Sequence, residues 1–252
     1  MSKISRRKFL GLSALALPAA LGADSAALET TRLRVTKLER GPGPCRFVHF
    51  TDFHYEGDTG YAAEVVRSIN ELAPDFVCFT GDLVEEAASA PAAFEFIRQI
   101  NVPVYGIPGN HDFQSGVPFS DFENAFAATG GGWLADRTAS LPQYDLELVG
   151  FGRRSVHAFT EPRARRQILL MHYPQMANGL GRRFDLILAG HSHGGQIRLP
   201  FLGAIVLPKG VRPYEYGFYE TPGGPLYVNA GIGTYRIPFR WNCRPELTLI
   251  TI

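Results

Sequence analysis

The chain has 252 residues, of which 45% are hydrophobic and 19% are charged, and its formal net charge is +1. This length and balance predict one globular domain with a large buried core, and they give no indication of a disordered chain or a repeat array.

The first 23 residues have the features of an export signal. Arg6 and Arg7 lie in a basic segment, Leu10 to Leu21 is apolar, and Ala20-Leu21-Gly22 offers small residues for cleavage. The paired arginines resemble the twin-arginine signal, so the twin-arginine translocation machinery is an expected partner. We expect the protein in the periplasm or on the outer face of the cytoplasmic membrane. A basic amphipathic helix and a retained anchor are the alternatives, although the apolar stretch is shorter than the roughly 20 residues that span a bilayer.

Removal of residues 1–23 changes the charge of the protein. The mature chain keeps 21 basic residues against 24 acidic ones, so we expect no specific nucleic-acid binding. Residues 24–44 are interpreted as a lead-in segment and residues 45–252 as the functional domain. Cys45, Cys78 and Cys243 share no metal-ligand spacing, and a Cys45–Cys243 disulfide stays open for an oxidising compartment.

Strands and helices alternate in the first half of the sequence. Helices are predicted at Tyr61 to Leu72, Ala92 to Ile100 and Ser120 to Ala128, where apolar residues recur at helical spacing. The second half is richer in strands, including Asp145 to Phe151, Leu226 to Asn229 and Leu247 to Ile252. This order predicts a layered α/β fold with two sheets face to face and helices outside.

Five short apolar runs each stop at a residue that can bind a metal. Because such runs are typical of buried strands, ligands at the same end of each strand converge on one rim of a sheet. Carboxylate, amide and imidazole groups gathered there predict a polynuclear metal site. The ligand residues in chain order are Asp52 and His54, Asp82, Asn110 with His111, His172, and His191 with His193.

These residues stand in ordered motifs: Asp-x-His, Gly-Asp, Gly-Asn-His-Asp, a lone His, and Gly-His-x-His. The set resembles the calcineurin-like metallophosphoesterases from about residue 45 to the carboxyl end. Within that family it is most similar to the exported or membrane-associated bacterial phosphodiesterases. The resemblance implies a four-layer αββα sandwich, with two packed mixed sheets and outer helices.

The resemblance also implies a role for each matching residue. One metal would be held by Asp52, His54, Asp82 and His193, and the other by Asp82, Asn110, His172 and His191, so that Asp82 bridges. His111 would stabilise or protonate the departing oxygen. Asp112 would orient the His111 ring, and capping of the following helix or turn is the open alternative for Asp112.

Two cations explain this set of residue types. They neutralise a phosphate ester and lower the pKa of a bridging water, and the resulting hydroxide attacks phosphorus in line. Mixed nitrogen and oxygen ligands suit manganese, iron, zinc or cobalt better than calcium. The expected substrate is a phosphate-ester small molecule or a lipid-linked compound, with a phosphodiester favoured. The alternatives are a pyrophosphatase acting on a UDP-diacylglucosamine-like lipid precursor and a non-catalytic envelope metal-binding protein.

Two segments after the last histidine motif bear on substrate and membrane. The apolar run from Ile197 to Leu207 predicts a buried hairpin, and a groove for lipid or a peripheral membrane contact is the alternative. Six aromatic and basic residues are candidates for the mouth of the site, and ordinary packing explains them equally well: Tyr214, Tyr216, Tyr219, Tyr235, Arg236 and Arg240. His49 lies inside an apolar run and is predicted to be a hydrogen-bonded core residue.

Overall fold

A computed structural model of the chain describes residues 29–152 and 164–252. The predicted export signal lies outside these residues. Two mixed six-stranded sheets form the centre of the fold, which confirms the predicted α/β class with two packed mixed sheets. Within the described residues, no helix combines the length and apolar character needed to cross a membrane.

The first sheet has the strand order β1-β14-β2-β3-β4-β5. Strands β2 to β5 are parallel to one another, and β14 is antiparallel to β2 and parallel to β1. The lead-in segment therefore contributes an edge strand to this sheet. The bounds are β1 Arg34–Glu39, β2 Arg46–Phe50, β3 Phe76–Phe79, β4 Val104–Gly106, β5 Gly132–Trp133 and β14 Glu246–Thr251.

The second sheet has the strand order β12-β13-β9-β8-β7-β6. Its four inner strands are parallel, and the two edge strands are antiparallel to their neighbours. The bounds are β6 Thr138–Leu141, β7 Leu146–Gly150, β8 Arg166–Leu170, β9 Leu186–Ala189, β12 Gly217–Thr221 and β13 Gly224–Val228. A separate short hairpin consists of β10 Arg198–Leu199 and β11 Gly203–Ala204.

Four α-helices lie in the first half of the described chain: α1 Thr59–Glu71, α2 Ala90–Arg98, α3 Asn110–Gln114 and α4 Phe119–Ala127. The three predicted helices correspond to α1, α2 and α4, each displaced by one or two residues. The Asp58 side chain begins α1 by accepting a hydrogen bond from the Tyr61 amide at 3.0 Å. Buried side chains from α1, α2 and α4 pack with Val48, Phe50, Val77 and Phe79 on the outer face of the first sheet.

The inner faces of the two sheets pack against each other through a second apolar cluster. Phe47 and Phe76 from the first sheet stack at 4.9 Å between ring centroids, and they join Leu148, Ile168 and Leu188 from the second. Alternation along each strand sends one set of side chains into this layer and the other set outward. On the outer face of the second sheet, a six-residue 3₁₀ segment, Pro174–Gly179, contributes to the cover.

Candidate metal centre

The predicted ligands meet where the parallel strands of both sheets end. Two groups of three side chains place their ligand atoms within 4.8 Å of one another: one is Asp52, His54 and His193, and the other is Asp82, His172 and His191. Each group combines residues from both sheets, because β2 and β3 belong to the first sheet and β8 and β9 to the second. The site therefore requires the face-to-face packing of the sheets.

The two groups lie next to each other. His172 Nε2 is 3.1 Å from Asp82 Oδ2, and His193 Nε2 is 3.4 Å from Asp52 Oδ1. His54 Nε2 lies between the two carboxylates, 3.8 Å from Asp52 Oδ1 and 3.6 Å from Asp82 Oδ2. His191 Nδ1 is 3.1 Å from His172 Nε2. This arrangement has the dimensions of one continuous centre.

The glycines of the motifs allow the loops to come this close. A Cβ atom on Gly109 would lie 2.1 Å from Asp82 Oδ1, and one on Gly190 would lie 2.1 Å from Thr51 Oγ1 and 2.4 Å from Asp52 Oδ2. Real Cβ atoms do not approach other atoms at such distances, so a larger residue at either position would displace a candidate ligand.

Unsatisfied polar atoms point to metal ions in the centre. Asn110 Oδ1, His54 Nε2 and His193 Nδ1 are buried and have no hydrogen-bond partner among the described residues. Buried polar groups are nearly always satisfied, so three such atoms on predicted ligands indicate a missing bonding partner. Oxygen and imidazole nitrogen donors fit a divalent transition metal.

The pKa values of the cluster show which of its groups carry charge. Burial lowers the pKa of His193 to about 3. Burial also acts to lower the pKa of His54, but the Asp52, Glu85 and Asp82 carboxylates outweigh it and raise that pKa to about 10. Burial acts to raise the pKa of Asp82, but His172 outweighs it and holds the value near 2. The carboxylates therefore stay ionised, and they stabilise cations beside them.

His111 lies at the edge of the centre, against Glu85. Its Nδ1 is 2.7 Å from Glu85 Oε2, and the other oxygen of Glu85 contacts His54 Nδ1. Glu85 thus contacts both His111, the residue predicted to protonate the departing oxygen, and His54, a predicted metal ligand. Glu85 was not among the predicted site residues, although it stands only three residues after Asp82.

Asp112 does not orient the His111 ring as predicted. Its carboxylate is fully buried and accepts hydrogen bonds from the amides of Asp82, Leu83 and Gly109, at 2.8, 2.8 and 2.9 Å. The bond from Gly109 caps the start of α3, which was the alternative interpretation of Asp112. The other two bonds fix the loop that carries Asp82. Asp112 is therefore a structural residue of the ligand loops.

Aromatic side chains border the centre on two sides. The Tyr235 ring lies 4.8 Å from His111, 5.6 Å from His54 and 6.1 Å from His193, so Tyr235 belongs to the mouth of the site. On the side of Asn110 and His172, a cavity of about 240 Å³ is lined by Phe113, Phe151 and Tyr173 among other residues. Both surfaces are suited to the organic part of an ester.

Arg240 stabilises the loops around His193 through hydrogen bonds to their backbone carbonyls. Its guanidinium is fully buried and donates hydrogen bonds to the carbonyls of Ala230, Gly231, Gly233, His193 and Cys243. Cys45, Cys78 and Cys243 are all buried free thiols in this structure.

Comparisons with known proteins agree with the site. The family model for calcineurin-like phosphoesterase matches residues 45–195. The metallophosphoesterase YkuE of Bacillus subtilis is 32% identical, with 100% of this chain and 99% of that protein covered. The phosphodiesterase YaeI of Escherichia coli is 24% identical, with 99% of both covered.

Among solved structures, a dimetal phosphatase from Danio rerio superposes with a TM-score of 0.50 at 11% identity, over 75% of this chain and 88% of that one. That likeness concerns the fold. The family match and the full-length relative, together with the clustered ligands, establish that this chain belongs to the calcineurin-like phosphoesterases, metal-dependent hydrolases of phosphate esters.

Proposed function

We propose that the protein hydrolyses phosphodiesters with two divalent cations bound side by side. The observation that carries this proposal is the pair of adjacent ligand groups, one around Asp52 and the other around Asp82, with buried polar atoms on His54, His193 and Asn110 that have no hydrogen-bond partner. The preference for a diester is supported by the similarity to a relative named as a phosphodiesterase. Manganese, iron, zinc and cobalt are the candidate metals.

Each candidate residue has a proposed role in metal binding, proton donation or substrate contact. Asp52, His54, Asp82 and His193 would hold one cation, and Asp82, Asn110, His172 and His191 the other. The cations, when bound, neutralise the phosphate and activate a water for in-line attack. His111 would donate a proton to the departing oxygen, and Glu85, 2.7 Å from His111 Nδ1, would hold the ring. Tyr235 would contact the organic group of the ester.

The proposal is tested by assaying the purified protein with added manganese on two esters. The diester is bis(p-nitrophenyl) phosphate, and the monoester is p-nitrophenyl phosphate. We expect faster turnover of the diester. On a diester with an alkoxide leaving group, His111→Ala should lose turnover by roughly 10²- to 10⁴-fold while the metal content, measured by elemental analysis, stays unchanged. Absence of turnover of every ester by the parent protein would favour a non-catalytic metal-binding role, and faster turnover of the monoester would refute the diester preference.

We also propose that the twin-arginine machinery exports the protein to the periplasm or the outer face of the cytoplasmic membrane. The proposal rests on Arg6 and Arg7 before the apolar stretch. Changing Arg6→Lys together with Arg7→Lys should retain the protein inside the cell. An unchanged periplasmic yield of the double variant, measured by fractionation, would refute this route.

A further inference from the structure

We infer that the tip of the β10–β11 hairpin inserts into the surface of an anionic phospholipid bilayer. The hairpin was expected to be buried; its strands are instead half-buried, and the apolar side chains at its tip and just after β11 are exposed. Phe201 and Leu202 at the turn are 107% and 79% exposed, and Ile205 and Val206 follow at 55% and 73%. Four of the seven large exposed apolar residues of the described chain therefore fall within six consecutive positions.

The stem of the hairpin is held firmly, so the exposure of its tip is a property of the fold. Ile205 donates a backbone hydrogen bond to the Ile197 carbonyl at 3.2 Å, and Arg198 donates one to the Trp241 carbonyl at 3.0 Å. The Gln196 side chain accepts a hydrogen bond from the Tyr235 amide at 2.5 Å. A rigid stem that presents a large apolar tip to water requires an apolar partner.

Charge identifies the partner as an anionic surface. Residues 196–215 and 232–245, which form the hairpin and the loop against its stem, contain six basic residues and one acidic residue, whereas the mature chain as a whole is slightly acidic. The acidic residue is Glu215, which lies 3.6 Å from Arg198. Three of the six, Lys209, Arg212 and Arg236, are exposed. Apolar side chains flanked by cations are the pattern of proteins that bind the headgroup region of anionic membranes.

The shape of the tip favours lipid over a second protein. Phe201 and Leu202 protrude from a two-stranded turn, and a stable protein partner needs a contact of about 800 Å² on each side. Two side chains at a turn bury far less area than such a contact requires, but they fit between the fluid acyl chains of a bilayer. We therefore assign the tip to lipid and treat association with a second copy of the chain as a competing outcome.

Insertion of the tip would orient the metal centre relative to the membrane. Both ends of the hairpin are fastened to the loop that carries His191 and His193: the Lys209 carbonyl is 2.8 Å from His191 Nε2, and Arg198 donates to the Gly194 carbonyl at 2.7 Å. Membrane binding at the tip therefore holds these ligands at a fixed distance from the lipid. The inference does not depend on the proposed phosphodiesterase activity, because lipid binding is measured without substrate.

A fluorescent reporter at the tip tests insertion in the full chain. Leu202→Trp is mixed with vesicles of phosphatidylglycerol and phosphatidylcholine, and we expect its emission to shift to shorter wavelength and to be quenched by brominated acyl chains. Val35→Trp, at an apolar position that is 41% exposed on β1, is the matched control and should show neither change. Because the reporter is local, binding of vesicles through the amino-terminal segment does not mimic the result.

Two double variants separate the apolar contribution to vesicle binding from the electrostatic one. Phe201→Ser with Leu202→Ser should weaken vesicle binding by the tip at least tenfold, with unchanged turnover of a soluble ester, since both side chains lie outside the metal centre. Lys209→Gln with Arg212→Gln should reduce the salt dependence of binding. Unchanged emission from the position 202 reporter with bound vesicles would refute the inference. A shift that grows with protein concentration in the absence of vesicles would also refute it, in favour of self-association.

Discussion

Five of the seven candidate ligands have a left-handed backbone. Asp52, His54, Asp82, His191 and His193 lie at φ values between 46° and 67°. This region costs roughly 1 to 2 kcal/mol for a residue with a Cβ atom, so it persists only where the surrounding structure enforces it. Backbone hydrogen bonds do so here: the His54 amide donates to the Asp82 carbonyl at 3.1 Å, and the Asp52 amide donates to the Gly81 carbonyl at 2.9 Å. Five of the twelve non-glycine residues with positive φ in the described chain are therefore candidate ligands.

Glu85 is predicted to be a positioning residue for His111. Glu85→Gln keeps the shape of the side chain but replaces the carboxylate that contacts His111 Nδ1 with a neutral amide. We expect turnover at saturating metal to fall by about 10- to 100-fold. The loss should be larger for an ester with an alkoxide leaving group than for a p-nitrophenyl ester, because only the alkoxide needs a proton from His111.

The neighbouring Glu86→Gln serves as the control for Glu85, because Glu86 is exposed and adjacent in sequence. It should turn over both esters at the rate of the parent protein. A Glu85→Gln variant that loses the same factor on both esters would contradict a role in proton donation and would indicate a general effect on the His54 ligand.

The difference between Glu85 and Asp112 shows what sequence reasoning misses at the scale of single residues. The ligands were predictable because each ends an apolar run, and that pattern depends only on neighbours in the chain. The contact of Glu85 with His111 depends on how Val84 pairs with Tyr55 across two loops, and this register leaves no local signal. Asp112 lies beside His111 in sequence, yet the start of α3 turns its carboxylate toward backbone amides instead.

At the scale of single elements, β2 carries a buried histidine that makes stability depend on pH. His49 is fully buried, its Nε2 is 2.9 Å from Thr80 Oγ1, and burial lowers its pKa to about 3. This confirms the prediction of a hydrogen-bonded core residue. Between the usual value of 6.5 and this lowered value, the unfolded chain takes up a proton that the folded chain does not, so acid destabilises the fold.

Replacing His49→Gln should remove this acid dependence. Lowering the pH from about 6.5 to about 5 should cost the parent protein up to about 2 kcal/mol more than it costs the variant. Urea unfolding of both proteins at each pH measures the difference. An identical loss of unfolding free energy in both proteins would show that His49 is not the source.

The Arg240 side chain donates hydrogen bonds to several backbone carbonyls of the loops around His193. Replacing Arg240 tests whether these bonds stabilise the fold. In Arg240→Lys, three donors on a thin side chain cannot reach the positions that the planar guanidinium reaches. Buried carbonyls lose their partners, and we expect the free energy of unfolding to fall by about 3 kcal/mol. Arg98→Lys, on the exposed side of α2 beside Glu95, should change it by less than about 0.5 kcal/mol. Similar values for both variants would contradict the role of Arg240.

At the scale of the whole molecule, the central strands of the two sheets were easier to predict from sequence than the edge strands and the exposed hairpin. Strands β2, β3, β4, β8 and β9 were found because buried parallel strands are continuously apolar. The pairing of β1 with β14 joins residues more than two hundred positions apart, and an alternating edge strand of this kind resembles a loop in sequence. The β10–β11 hairpin is as apolar as a core segment, so its sequence predicted burial where the structure has exposure.

Because the candidate ligands come from both sheets, divalent cations bound by them should stabilise the whole fold. Removing them with a chelator leaves Asp52 and Asp82 buried with no cation between them. At metal concentrations of 100 to 1,000 times the dissociation constant, binding adds about 2.7 to 4.1 kcal/mol for each site, and this contribution should disappear on chelation. Thermal unfolding with manganese and with chelator measures the effect, and Asn110→Ala, which removes one predicted donor, should show a smaller difference. The same unfolding temperature with and without metal would contradict a metal centre that joins the two sheets.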